Sequence, residues 1–195
     1  LEPEKGYWMI LNTAANLCVR DAIPTDPTLA YNLHVGANLI SIPAGGSFDV
    51  SAALPDDIEP SITGIITEVG SSTQIEGIWY GSMQSFTGGI GYWMISNADI
   101  SFSFNLADLT RKADFTLSMS PSGYDYNQSS EQAFYFIESV EDITTDDWIL
   151  AYHEDQLIGG RQWNGIYTDV PAMGDDGYFY SNGYIKTGDV PQFKL

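Results

Sequence analysis

Basic residues are scarce in this chain. Seven Lys and Arg face twenty-six Asp and Glu over 195 residues, a formal net charge of −19. A chain so poor in cations has little with which to neutralise phosphates, so no nucleic-acid partner is expected. An anionic membrane surface is disfavoured for the same reason. Cysteine occurs once, at Cys18, which rules out an internal disulfide and a thiolate metal cluster. Long apolar runs are missing too. None approaches the roughly 18 residues that a membrane-spanning helix needs, so no membrane insertion is expected. The two histidines, His34 and His153, lie too far apart in sequence to form a metal-binding spacing. There is no Gly-x-Ser-x-Gly elbow, P-loop or dinucleotide fingerprint.

What is present is a folding composition, 44% hydrophobic and 13% aromatic. Its nineteen Gly and nine Pro point to short strands joined by tight turns. The chain opens Leu1-Glu2-Pro3-Glu4, without Met or a signal-peptide pattern, and reads as a processed product or part of something longer. The most informative feature is a repeat. Gly6-Tyr7-Trp8-Met9-Ile10 recurs as Gly91-Tyr92-Trp93-Met94-Ile95. The second copy stands near the end of a unit of strands that begins at Tyr31. The first copy stands alone, like the closing strands of a unit whose body is absent.

The strand pattern supplies the body of that unit. Tyr31–Val35 and Asn38–Pro43 read as strands around a Gly36 turn. Ser47–Leu54 reads as a short helix ended by Pro55. Ile62–Val69 and Gln74–Met83 read as further strands. Tyr92–Ser96 and Ile100–Asn105 read as a hairpin across Asn97-Ala98-Asp99. In the second module the expected strands are Asp114–Met119, Gln132–Ile137, Trp148–Tyr152, Gln156–Ile158, Arg161–Trp163, Tyr178–Ile185 and Gln192–Leu195. The expected fold is all-β: two small β-sandwich-like or partly open barrel modules, preceded by a strand-bearing arm. The expected boundaries are an arm over 1–22, a Pro-containing linker over 23–30, and modules over 31–112 and 113–195.

These segments resemble repeat-built extracellular β-modules of secreted and surface proteins of aquatic bacteria. In the first module the likeness is carried by Asn38-Leu39-Ile40-Ser41-Ile42-Pro43, Ile62-Thr63-Gly64-Ile65-Ile66 and Gly91-Tyr92-Trp93. In the second it is carried by Gln132–Phe136, Asp147-Trp148-Ile149, Gly159-Gly160-Arg161-Gln162-Trp163, Asp169-Val170-Pro171 and Met173-Gly174-Asp175-Asp176-Gly177. Asp146 stands where such modules have Gly, and Leu157 where they have Cys. The resemblance implies an extracellular or cell-surface location and the kind of module used in surface filaments and adhesins.

The residues themselves offer several candidate sites. His153, Glu154 and Asp155 form the most enzyme-like cluster, yet Tyr152–Gln156 reads as a polar turn between strands. No catalytic residue is expected. Asn127-Gln128-Ser129 is a glycosylation-type sequon, with Asn127 as the acceptor. Trp163, Tyr167, Tyr178 and Tyr180 are candidate sugar contacts. Asp146, Asp147, Asp175 and Asp176, with their hard oxygens on turns, are the candidates for a structural calcium; no other cofactor is expected. Cys18, in Leu17-Cys18-Val19, is expected to be buried and inert. The arm is the last candidate. A two-stranded segment does not hold itself together in water, so residues 6–19 need a sheet. That sheet is either its own, beside 91–105, or a neighbour's. In the second case Tyr7, Trp8, Met9, Ile10, Leu17 and Val19 are the subunit-interface anchors, and the partner is the protein itself in a head-to-tail homo-polymer. The alternative function is a carbohydrate-binding or adhesive module of a larger surface protein, with bound or attached glycans as partners.

Overall fold

The computed structural model describes residue 2 and residues 4–18, 23, 25–106 and 120–195. Val19 of the expected arm, the 111–112 boundary and the expected strand over 114–119 lie outside the described residues. The fold is all-β, built of several small antiparallel sheets. The chain divides into two compact units. The first takes residues up to 67, 73–79 and 83–115; the second takes 68–72, 80–82 and the chain from 116 onward.

The main sheet has five strands in the order β2-β8-β4-β5-β6. These are β2 (Gly36–Ser41), β4 (Ile62–Ile66), β5 (Ser71–Ile75), β6 (Ile78–Gly81) and β8 (Gly91–Ser96). The remaining strands of the first unit form two pairs: β1 (Tyr31–Leu33) with β9 (Ile100–Phe102), and β3 (Ser47–Asp49) with β7 (Ser85–Thr87). The strand β8 is central. It pairs with β2 through Leu39↔Trp93 and Ile40↔Tyr92, and with β4 through Ile65↔Met94. Its alternation sends Tyr92, Met94 and Ser96 inward, as a period of two requires. The core gathers Tyr31, Phe48, Ile65, Phe86, Tyr92, Met94, Phe102 and Phe104. Edge-to-face contacts link Phe86 to Tyr92 and to Phe104 at 5.0 and 5.2 Å. Burial pushes the Tyr31 phenol up to about 12, and its hydroxyl donates to Ser41 O at 2.7 Å.

Three expectations in this unit are corrected. The Ser47–Leu54 helix is shorter: Ser47–Asp49 is strand, and only Val50–Ala53 (α1) is helical, capped by the Asp49 carboxylate on Ala52 N–H. Gln74–Met83 is two strands, because Glu76 and Gly77 both take positive φ (51° and 81°) and turn the chain. That is the backbone of a type I′ hairpin turn. The segments 92–96 and 100–105 are not a hairpin with each other. The face of β8 is already paired on both sides, so β9 crosses to β1, where Phe102 stacks on Tyr31.

In the second unit β10 (Gln132–Ile137) pairs with β13 (Thr168–Met173), and a three-stranded sheet runs β12-β11-β14. Its strands are β11 (Trp148–His153), β12 (Gln156–Gln162) and β14 (Gln192–Lys194). Its core holds Ile149, Ala151, Ile158, Val170, Met173 and Tyr184. The segments 156–158 and 161–163 are one strand, and Gly159 is what lets it continue. A Cβ there would stand 1.8 Å from Pro171 O, so only glycine allows β12 to lie against β13. The strand β13 was not expected, since Pro171 discourages a strand reading. It is buried throughout. The expected strand over 178–185 is instead a 3-10 turn, Phe179–Ser181, followed by an Asn182-Gly183 turn with Gly183 at φ 88°.

Candidate functional site

The arm meets its own unit through Lys5 and Gly6. Lys5 bridges Ile40, and Gly6 N–H donates to Leu39 O at 3.0 Å. The contact is with β2, and Gly6 lies close to Gly91 at the start of β8, where a Cβ on Gly91 would stand 3.9 Å from Gly6 Cα. Gly6 is required there, since a Cβ would come within 2.7 Å of Ile40 O. After Gly6 the chain leaves the sheet, and 7–18 form no ladder. Tyr7, Trp8, Met9, Ile10, Leu11 and Leu17 are all exposed. Cys18 is exposed as well, which corrects the expectation of a buried thiol: a segment with no sheet has no interior to hide it in. The contrast with β8 is direct. In the second copy of the pentapeptide Tyr92 and Met94 are 1% and 0% exposed; in the first, Tyr7 and Met9 are 51% and 62% exposed.

The candidate aromatic contacts separate. Trp163 is 9% exposed and belongs to the core, so it is no surface platform. Tyr167 is half-buried; its ring packs edge-on against Tyr80 at 5.0 Å, and its hydroxyl donates to Glu138. Tyr178 and Tyr180 stack on each other, 5.6 Å apart and 3° from parallel, and Phe179 is 86% exposed beside them. Asn127 is exposed at this turn, and its Nδ2 donates to Tyr180 O at 3.3 Å. The sequon's Ser129 is buried, with its hydroxyl on Gly174 O.

Asp176 holds the turn together. Its carboxylate receives the Ser130 N–H and hydroxyl, the Tyr178 N–H, and the hydroxyls of Tyr180 and Ser181, at 2.6–3.2 Å. Burial alone would raise its pKa. The donors from Ser181, Ser130, Tyr180 and Tyr178 outweigh that and hold it far below the usual carboxylate range. A carboxylate offers about four lone-pair positions, so Asp176 is saturated by the protein's own donors. Asp175 caps Gly177 N–H and pairs with Lys186 at 3.3 Å. Asp147 accepts from Thr144 N–H and hydroxyl, and Asp146 lies in the same turn. Among the described residues no group of three or more His, Cys, Asp or Glu is placed to hold a metal ion.

Glu154 and Asp155 form the β11–β12 hairpin turn, and His153 is the last residue of β11. His153 Nδ1 contacts Gly183 O at 2.8 Å, and its Nε2 lies 3.8 Å from Asp189. A cleft of about 650 Å³ opens nearby, lined by Glu131, Tyr135, Asp175, Lys186 and Asp189. Lys186 pairs with Asp175 there, and the Lys186 backbone N–H donates to the Asp189 carboxylate at 2.8 Å. No helix among the described residues is long and apolar enough to cross a membrane.

One polar centre escaped the sequence reading. Asp169, fully buried, receives Ser71 N–H (2.9 Å) and hydroxyl (3.3 Å), Ser82 N–H (2.7 Å) and hydroxyl (2.8 Å), and Arg161 Nη2 (3.4 Å). Arg161, also buried, donates through Nε to Asp169 O and through Nη2 to Val69 O. Burial pushes the Asp169 carboxyl up, against the pull of Arg161, Ser82 and Ser71. The arrangement ties three chain segments of the second unit together and turns its polar atoms inward. A signal for it existed, because Gly159-Gly160-Arg161 and Asp169-Val170-Pro171 are both among the segments that carry the resemblance. Comparison with family models, with curated proteins and with solved structures returns no match for this chain.

Proposed function

We propose that the protein is a structural subunit of an extracellular filament, assembling head to tail by strand complementation through its N-terminal arm. The observation that carries this reading is the pentapeptide that exists twice. As β8 it is hydrogen-bonded on both sides and fills the core; as residues 6–10 it is bare beyond Gly6. A segment of that composition gains by adding to another sheet, where main-chain hydrogen bonds supply affinity and alternate side chains supply register. Such a contact joins two different surfaces, and unless its rotation closes a ring it propagates as an open filament. The net charge of −19 keeps such a polymer dispersed. The reading is of a non-enzymatic protein that needs no cofactor.

The exposed turn of Tyr178 and Phe179 beside Asn127 favours a second reading, a carbohydrate-binding or adhesive module. Its glycan would sit on that turn, bound or attached, and the protein would remain monomeric.

Sedimentation velocity separates the two. The intact chain should sediment as a concentration-dependent polymer, and the chain lacking residues 1–22 as a folded monomer. Polymers that survive the deletion, or an intact chain that stays monomeric at every concentration, would sink the filament reading.

A further inference from the structure

We infer that the acceptor for the arm is the free edge of β14 in the second unit of another copy. This rests on the filament reading and names the surface that reading requires. Many strands here stand at a sheet edge, so exposure must choose between them. The strand β14 is the one described strand whose residues are all exposed. It pairs with β11 on one side through Leu150↔Lys194, Ala151↔Phe193 and Tyr152↔Gln192. Its other edge carries no strand among the described residues. The strand β2, by contrast, already receives Lys5 and Gly6 at Ile40 and Leu39.

Side chains and charge agree with this choice. Val190, Phe193 and Leu195 are exposed along the same stretch. By the period of two Phe193 and Leu195 share one face, with the Phe193 ring edge-on to Tyr135, and they offer apolar surface that the side chains of Tyr7 to Leu11 can cover. The strip 190–195 holds no acid and one cation, Lys194. The arm from Gly6 to Cys18 holds no charged residue at all. Two copies that each carry −19 can meet closely only where acids are missing, and these two segments provide that. Lys194, whose ammonium lies over the Tyr152 ring at 4.2 Å, supplies a positive charge for Glu4 at the base of the arm. Pro191 has no N–H to give, so the shared ladder starts at Gln192, within the exposed strand.

The test uses the full chain with Val190→Glu and Leu195→Glu. Both side chains are exposed, so the fold should be kept, and an unchanged melting temperature verifies that. Polymer association should weaken at least tenfold, read by sedimentation velocity. In parallel, a Cys18→Ser chain carrying Met9→Cys is mixed with a Cys18→Ser chain carrying Phe193→Cys under mild oxidation. A disulfide-linked heterodimer is the expected product. If the glutamate variant polymerises like the parent chain and no heterodimer forms, the β14 acceptor is overturned. Loss of polymer on deleting residues 1–22 would then still leave the filament reading standing. A parent chain that never polymerises overturns both.

Discussion

Tyr7 and Tyr92 occupy the same place in the same pentapeptide and have opposite surroundings. The Tyr92 hydroxyl is locked onto Thr87, accepting its N–H at 2.6 Å and facing its carbonyl at 3.1 Å, with the ring sealed in the core. Among the described residues the Tyr7 hydroxyl accepts a single neighbouring backbone N–H, that of Glu2 at 2.7 Å, and half of its surface is open to solvent. Local sequence is held constant between them, so the difference comes from strand pairing alone.

That pair of copies yields the first test. Met94→Ala removes a side chain with no exposed surface and should cost about 2–5 kcal/mol of stability. Met9→Ala, the same change in the other copy, should stay within about 0.5 kcal/mol in the monomer. The Met9 variant should instead weaken assembly. Chemical denaturation of dilute protein, together with sedimentation at high concentration, reads both effects.

Cys18 reports on the same segment. In dilute protein it should react with a thiol reagent at close to the rate of an unstructured peptide, since it is exposed. On assembly the rate should fall, as the arm is covered. An equal rate in both states would place Cys18 outside any subunit contact.

The Arg161–Asp169 pair should behave as a buried pair does. Asp169→Ala leaves a buried guanidinium uncompensated and should cost about 3–5 kcal/mol. The double variant Asp169→Ala with Arg161→Met should recover part of that loss, because the stranded charge is gone. A double-mutant cycle by urea unfolding measures the coupling.

Asp176 predicts the acid limb of the stability curve. Its folded pKa is depressed, so its stabilisation is fully present above the unfolded carboxylate value of about 4 and is lost as pH falls below that. Melting temperature should therefore drop from about pH 4 downward, and Asp176→Asn should flatten that drop. At pH 7 the same variant should be less stable than the parent by roughly 1–3 kcal/mol, because charge-assisted hydrogen bonds are weakened.

The all-β fold was legible because alternation and turn residues survive in short segments. Ile100 to Phe104 shows it, with Phe102 and Phe104 buried as the pattern requires. Pairing was not legible. Whether β9 joins β8 or β1 depends on which edges are free, and that is a property of the whole sheet. The strand β13 was hidden by Pro171, whose tolerance depends on Gly159 across the way. Asp169 was hidden because its partners, Ser71 and Ser82, lie close to a hundred residues away and look like ordinary strand and loop serines. Asp175 and Asp176 stood out as carboxylates on a turn. That Asp176 is filled by the protein's own donors depends on the folded turn, which brings Ser130 to it from across the chain. The repeated pentapeptide was legible because a repeat needs no structure to be seen.

The most direct test of the filament account is amide hydrogen exchange over residues 7–11 of the intact chain, at low and at high concentration. These amides should exchange without protection when the protein is dilute and become strongly protected when it is concentrated. Free exchange at both concentrations, or protection that is already complete in the dilute monomer, would contradict a donated strand.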